Sequence, residues 1–313
     1  MTDSRKTFSG IGLALVLACA AVMVFGRLVF IPLLTGVDMN RLVETIGPSM
    51  LLLLTDVPNL IFLLVSWLAV RRIPKSEWRG EAMSFRSLFQ IFVMMYAVST
   101  VMNLIGATIS KAAPAGGSEQ LDMIGKMVSS GLPTGILMTV LIAPVVEELI
   151  FRKLMLDRTR NYGEKAAIVF SALCFGLFHG NLTQFLYTFT VGLFLGYVYC
   201  KTGKVVVTMV MHGLLNLISS VIMLLAPMTT MEEKTGAAVA MLAMGLTMIM
   251  LFVPGVVQLV RHLRRKDLRT DNSMLTAIPA GEIVKTVYLN PCVMLFVMFY
   301  TAEIVLDLMN ISF

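Results

Sequence analysis

Apolar stretches as long as a bilayer is thick follow one another along most of this chain. A spanning helix needs roughly 20 predominantly apolar residues, and such runs fall at 8–34, 49–70, 87–110, 135–157, 166–181, 182–200, 205–226, 237–260 and 291–309. Polar or turn-rich breaks separate them, as in Arg71-Arg72-Ile73-Pro74-Lys75 and Lys201-Thr202-Gly203-Lys204. The expected fold class is all-α, a polytopic transmembrane helical bundle of about eight to nine spans. Composition excludes the alternatives. With 57% hydrophobic and 14% charged residues among 313, a soluble domain would have to leave much of its apolar complement exposed. The same abundance of apolar residues excludes disorder.

The net charge of +6 invites a nucleic-acid reading, but the positions of the basic residues decide otherwise. Lys and Arg accumulate in cytoplasmic loops of membrane proteins. Alternating the nine runs from a cytoplasmic N-terminus puts 20 of the 25 Lys and Arg on the inner side and four outside, with Arg27 inside the first run. The basic excess is an orientation signal, so a multi-pass protein with a cytoplasmic N-terminus is expected, in the plasma membrane if the chain is bacterial. No nucleic acid is expected as a partner.

The first run follows Arg5 and Lys6 and contains Ala18-Cys19-Ala20, which looks like a small-residue cleavage site. Apolar sequence nevertheless continues to Leu34, which favours a retained anchor helix. Cys19, Cys174, Cys200 and Cys292 sit one per predicted helix with no CxxC spacing. Buried free thiols are expected, without a disulfide framework or a cysteine metal site.

Ionisable groups inside spans are costly and therefore point to function. Most of them lie in four consecutive runs, 135–226. The first holds Pro144-Val145-Val146-Glu147-Glu148-Leu149-Ile150-Phe151-Arg152. Adjacent helical residues point about 100° apart, so the two acids are expected to have separate tasks. Glu148 and Arg152 stand at i, i+4 with the acid first, the favourable order for a helical ion pair. Glu147 has no such partner and suits a general base; the plainer reading is that both acids face an aqueous vestibule.

Two of the three histidines follow. His179 ends Phe175-Gly176-Leu177-Phe178-His179, and His212 begins His212-Gly213-Leu214-Leu215-Asn216. His262 lies in the charge run from Arg261 to Arg269, where a solvated loop explains it. His212 and Asn216 share one helix face, about 6 Å apart along the axis, and two donors there suit a developing oxyanion. Phe175, one turn before His179, is a candidate pocket wall, although a lone Phe is ordinarily packing. Gly192 and Gly196 form a GxxxG spacing that fits close contact between the fifth and sixth helices. His212 lies about 12 Å past Lys204 and His179 about 21 Å past Lys165, so a tilted fifth helix and a cytoplasm-facing cavity are expected.

Together, Glu147-Glu148-xxx-Arg152, Phe175-xxx-His179 and His212-xxx-Asn216 resemble the CAAX prenyl protease and bacteriocin-processing family of intramembrane endopeptidases. The resemblance covers about 135–226. It implies a peptidase in which Glu147 and His179 activate water, His212 and Asn216 stabilise the tetrahedral oxyanion, and Glu148 with Arg152 orients the site. The implied organisation is N-terminal transmembrane helices over 1–134, a catalytic helical core over 135–226 and C-terminal transmembrane helices over 227–313. Where the family often has Gly after its Phe-Arg pair, this chain has Lys153.

No cofactor is favoured. Zinc remains a possible one, with Glu147, His179 and His212 as its ligands, yet HExxH is absent and a base with a separate oxyanion site completes peptide hydrolysis alone. The expected partners are a membrane-associated protein or peptide substrate and the lipid bilayer. Whether the substrate is a prenylated CAAX protein or a leader or bacteriocin peptide stays open.

Two other readings fit the composition: a non-catalytic immunity or scaffold protein, and a proton-coupled transporter. The complete polar set argues against the first. Its confinement to one stretch argues against the second, which requires repeats in both halves. Outside the core, Asp56 and Pro58 are read as a kinked helix with a satisfied carboxylate. Glu303 and Asp307 are read as interfacial, and 113–134 as a loop or interfacial helix.

Overall fold

A computed structural model describes residues 3–30, 56–76, 80–113, 132–225, 234–265, 270 and 277–309. Each apolar run carries a helix, and no strand occurs among the described residues. In chain order α1 is Asp3–Phe25, α2 Val57–Val70, α3 Phe85–Ala112, α4 a composite over 132–162, α5 Glu164–Leu177, α6 Leu182–Thr202, α7 Val205–Leu225, α8 Lys234–Arg265 and α9 Pro291–Met309. Seven of them, all but α2 and α5, are long and apolar enough to cross a membrane. The protein is an all-α polytopic bundle, integral to the membrane.

The short helix α5 corrects the sequence reading of a spanning 166–181 helix. It has 14 residues, about 21 Å at 1.5 Å per residue, less than the ~30 Å hydrocarbon core; the described part of α2 also has 14. α5 stops at Leu177 because Gly180 takes φ +68° and Asn181 starts a new helix, its side chain accepting from the Gln184 N–H at 2.9 Å. Glycine at positive φ and Asn at an N-cap are the usual chemistry of such a break, and it falls at the boundary between the 166–181 and 182–200 runs. At α2, Asp56 and Pro58 mark a helix start rather than a kink, consistent with proline's preference for the first turn. The first part of the predicted 49–70 run, to residue 55, lies outside the described residues, as does most of 113–134.

Contacts between helices rest on small residues, as expected where lipid offers no hydrophobic drive. Gly192 and Gly196 of α6 lie against Ala172 and Ile168 of α5, and a Cβ on Gly192 would approach the Ala172 Cα to 2.9 Å. The GxxxG expectation is met. α1 packs on α9 through Gly12, where a Cβ would reach the Val293 nitrogen at 2.7 Å, and the Cys19 thiol lies 3.6 Å from the Tyr300 hydroxyl. α8 lies beside α3 with little of its surface buried. All four cysteines are free; Cys19, Cys174 and Cys200 are buried and Cys292 half-buried.

One end of the bundle gathers the C-terminal ends of α2, α4 and α6 with the N-terminal end of α5. There Glu164 pairs with Arg160 at 2.7 Å and Lys201 at 3.2 Å. Arg158 donates to the Val70 and Leu154 carbonyls at 3.0 and 2.9 Å, which caps α2 with a cation where its dipole favours one. Asp157 accepts from the Tyr199 hydroxyl at 2.5 Å and pairs with Lys153 at 2.9 Å. Lys153 therefore sits in this charged corner, half-exposed, away from the histidines.

Candidate active site

α4 owes its form to Pro144. The turn before it, Met138–Ile142, is π-helical, and the Ala143 N–H donates to the Met138 carbonyl five residues back. In that register the next donor would be residue 144, to the carbonyl of Thr139, and proline has no N–H. The orphaned Thr139 carbonyl instead accepts from the Asn216 amide of α7 at 2.8 Å. α7 comes close enough because of Gly213, where a Cβ would lie 2.6 Å from the Val140 carbonyl. One hydrogen of the Asn216 amide is thus committed to holding α7 on α4. A second π-helical stretch, Leu149–Leu156, follows Glu148, and single π turns of this kind are frequent at functional sites.

Between these stretches Glu147 and Glu148 point into the bundle, both buried. The i, i+4 pair forms as expected, with Arg152 Nε 3.0 Å from Glu148 Oε2 and both side chains fully buried. Neither guanidinium Nη has a hydrogen-bond partner among the described residues; the Phe175 ring lies under the guanidinium, 4.8 Å from its carbon. His212 gives the two adjacent acids one shared neighbour. Its Nδ1 lies 3.2 Å from Glu148 Oε1 and its Nε2 3.6 Å from Glu147 Oε2. Side chains about 100° apart on a helix still converge when the two nitrogens of one imidazole face them from a neighbouring helix.

His179 sits just past the C-terminal end of α5, where its Nδ1 lies 2.9 Å from the Phe175 carbonyl. A carbonyl only accepts, so Nδ1 carries the hydrogen and Nε2 keeps its lone pair. The Asn181 amide holds the His179 carbonyl at 3.0 Å. Asn181, fully buried, was missed in the sequence, although an Asn after Gly180 at the head of an apolar run is a helix-start signal.

Glu147 and His179 line the same cavity, about 420 Å³ in volume. Its other walls are Cys19, Val22 and Met23 of α1, Pro58, Asn59 and Phe62 of α2, Phe178 and Gly180, and Phe299, Tyr300 and Glu303 of α9. Two expectations change here. Phe175 is fully buried and lies behind the cavity, edge-on to both His179 and His212 with ring centroids 5.2 and 5.7 Å away; Phe178 is the ring that forms the wall. The cavity also lies in the half of the bundle remote from the Glu164–Lys201 corner, since its walls come from the far ends of α1 and α5 and the first turns of α2. A cavity facing the basic loops was expected.

The structure therefore brings Glu147, Glu148, Arg152 and His212 into one cluster, sets His179 on the cavity with Glu147, and holds Asn216 one turn from His212. Among the described residues no three His, Cys, Asp or Glu side chains are spaced to hold a metal ion. Glu147, His179 and His212 are not grouped as a zinc shell in this arrangement.

A sequence profile described as Type II CAAX prenyl endopeptidase Rce1-like matches residues 129–218. No curated protein and no solved structure matches the chain. The matched stretch contains α4 to most of α7 and all six polar site residues, while α1, α2 and α9, which wall the cavity, lie outside it. Over residues 129–218 the chain is similar to the CAAX-protease family.

Proposed function

We propose that the protein is an intramembrane endopeptidase that hydrolyses a peptide bond by water attack. The observation that carries this reading is the shared cavity of Glu147 and His179, where the His179 Nε2 lone pair is left available by the bond at Nδ1. A water between these groups loses a proton to them as its oxygen attacks the scissile carbonyl carbon. The tetrahedral oxyanion is held by His212 and by the Asn216 amide hydrogen that Thr139 does not use. The proton then passes to the leaving nitrogen, the C–N bond breaks, and a carboxylate and an amine are released.

Charge supports the same assignment. Two carboxylates are buried together with one guanidinium, and the His212 imidazole lies against both acids, as buried charges require partners. Glu148, held by Arg152 and His212, orients the imidazole and takes no part in bond making. Water activation proceeds without a metal in this scheme.

With the Lys- and Arg-rich end in the cytoplasm, the N-terminus is cytoplasmic and the cavity lies in the outer half of the membrane. The substrate is a membrane-associated protein or peptide whose scissile bond reaches that depth.

The test is cleavage of a peptide library by the purified full-length protein in nanodiscs. Glu147→Ala and His179→Ala are each expected to lower kcat/KM by about 10²–10⁴-fold. Equal cleavage by all three proteins would overturn the assignment. Dialysis against a chelator is expected to leave the rate unchanged; loss that zinc restores would overturn the metal-free step.

A further inference from the structure

We infer that Glu303 of α9 selects substrates that carry a positively charged group close to the scissile bond. The inference deepens the peptidase reading above and rests on it for the meaning of "scissile". The cavity that holds Glu147 and His179 is bounded on its other side by Tyr300 and Glu303, one turn apart on one face of a membrane-spanning helix. Glu303 is half-buried and has neither a hydrogen bond nor an ion pair among the described residues. A carboxylate at such a depth is costly unless a cation meets it.

The α2 wall has the same sign. Asn59 lines the cavity and donates to Asp56 Oδ1 at 3.0 Å, while Asp56 Oδ2 is buried without a partner. The expectation of a satisfied carboxylate at Asp56 is met at one oxygen only. No Lys or Arg lines the cavity among the described residues. Arg27, one turn past Met23, is exposed and is not part of the wall.

The remote end of the bundle shows what the chain does with a buried carboxylate that it balances internally: Glu164 has two cations on it. Glu303 has none among the described residues. A space of 420 Å³ is in the range of small-ligand sites and holds the side chains flanking one peptide bond. The chemistry that fits an unpaired carboxylate beside an amide carbonyl there is an ammonium or guanidinium, which it binds by charge-assisted hydrogen bonds. It has two possible sources, a Lys or Arg side chain and a free N-terminal amine.

The experiment uses full-length protein in nanodiscs and quenched-fluorescent peptides with Lys, Arg, Gln or Glu walked through the positions around the cleaved bond, each made with a free and an acetylated N-terminus. Wild type is expected to favour Lys or Arg over Gln by about tenfold in kcat/KM at one position. That ratio falls to about one in Glu303→Gln, is kept in Glu303→Asp, and turns toward Glu in Glu303→Lys. Because the readout is a ratio on a single protein sample, partial misfolding does not move it. A preference that acetylation abolishes assigns the amine; one that survives acetylation assigns the side chain. An unchanged ratio in Glu303→Gln, or no preference at any position, overturns the inference.

Binding of the Lys and Gln peptides, read by fluorescence anisotropy, separates the two readings. Glu303-dependent binding of the Lys peptide without cleavage sinks the peptidase and keeps the recognition. Cleavage indifferent to Glu303 does the reverse.

Discussion

The two ends of this bundle treat carboxylates in opposite ways. At the Glu164 end, acids and bases meet: Glu164 has Arg160 and Lys201, and Asp157 has Lys153 and Tyr199. At the cavity end, Glu303 has no such partner among the described residues, Asp56 is bonded at one oxygen, and Glu147 has only a histidine at 3.6 Å. Ion pairs tie helix ends together, and their replacement costs stability. Carboxylates left open to a cavity stabilise nothing by themselves, so their presence within spans points to a ligand. The Glu148–Arg152 pair lies between the two regimes, fully buried and paired, yet with guanidinium nitrogens unserved.

That intermediate pair is the place to press hardest. Arg152→Ala leaves Glu148 charged and buried with only His212, and a destabilisation of about 3–5 kcal/mol is expected, read as thermal unfolding in detergent. Glu148→Gln with Arg152→Met removes both charges and should be far milder. If the single and double variants lose equal stability, the charge argument at this site is wrong.

A smaller effect is expected where α7 meets α4. Asn216→Ala removes the bond to the half-buried Thr139 carbonyl, for about 0.5–1.5 kcal/mol. Pro144→Ala supplies the missing N–H, so the double variant should recover much of that stability but not the peptidase rate. Recovery of both would reduce Asn216 to a structural tie and remove it from the oxyanion site; recovery of neither would mean that the proline gap is not what Asn216 fills.

The charged corner should respond least. Lys153 is 42% exposed in its pair with Asp157, and Lys153→Ala is expected to change stability by about 0–1 kcal/mol and the cleavage rate not measurably. A large loss of rate there would place this corner in the substrate path and erase the contrast between the ends.

Much of this was legible in the amino-acid order, because the relevant signals are local. Hydropathy located the nine helices α1 to α9 among the described residues, the i, i+4 spacing paired Glu148 with Arg152, and small residues marked the α5–α6 contact. What was lost depends on neighbours distant in sequence. That one imidazole serves both Glu147 and Glu148 follows from where α7 lies, which no periodicity encodes. Phe175 and Phe178 are three residues apart on one helix end, and only packing decides which of them faces the cavity. The walls from α1, α2 and α9 carry no motif at all. One signal could have been read and was not: a proline inside a helix orphans a carbonyl that some side chain must serve.

The contact of α1 with α9 has a consequence in time. α1 precedes the stretch that carries Glu147 and His179 and α9 follows it, and both wall the cavity that holds those two groups. While α9 is still to be made, the glutamate–histidine pair has no far side and Glu303 does not yet exist. On the peptidase and recognition readings proposed above, a recognition wall synthesised after the hydrolytic groups is not expected to select a substrate while the chain is still being inserted.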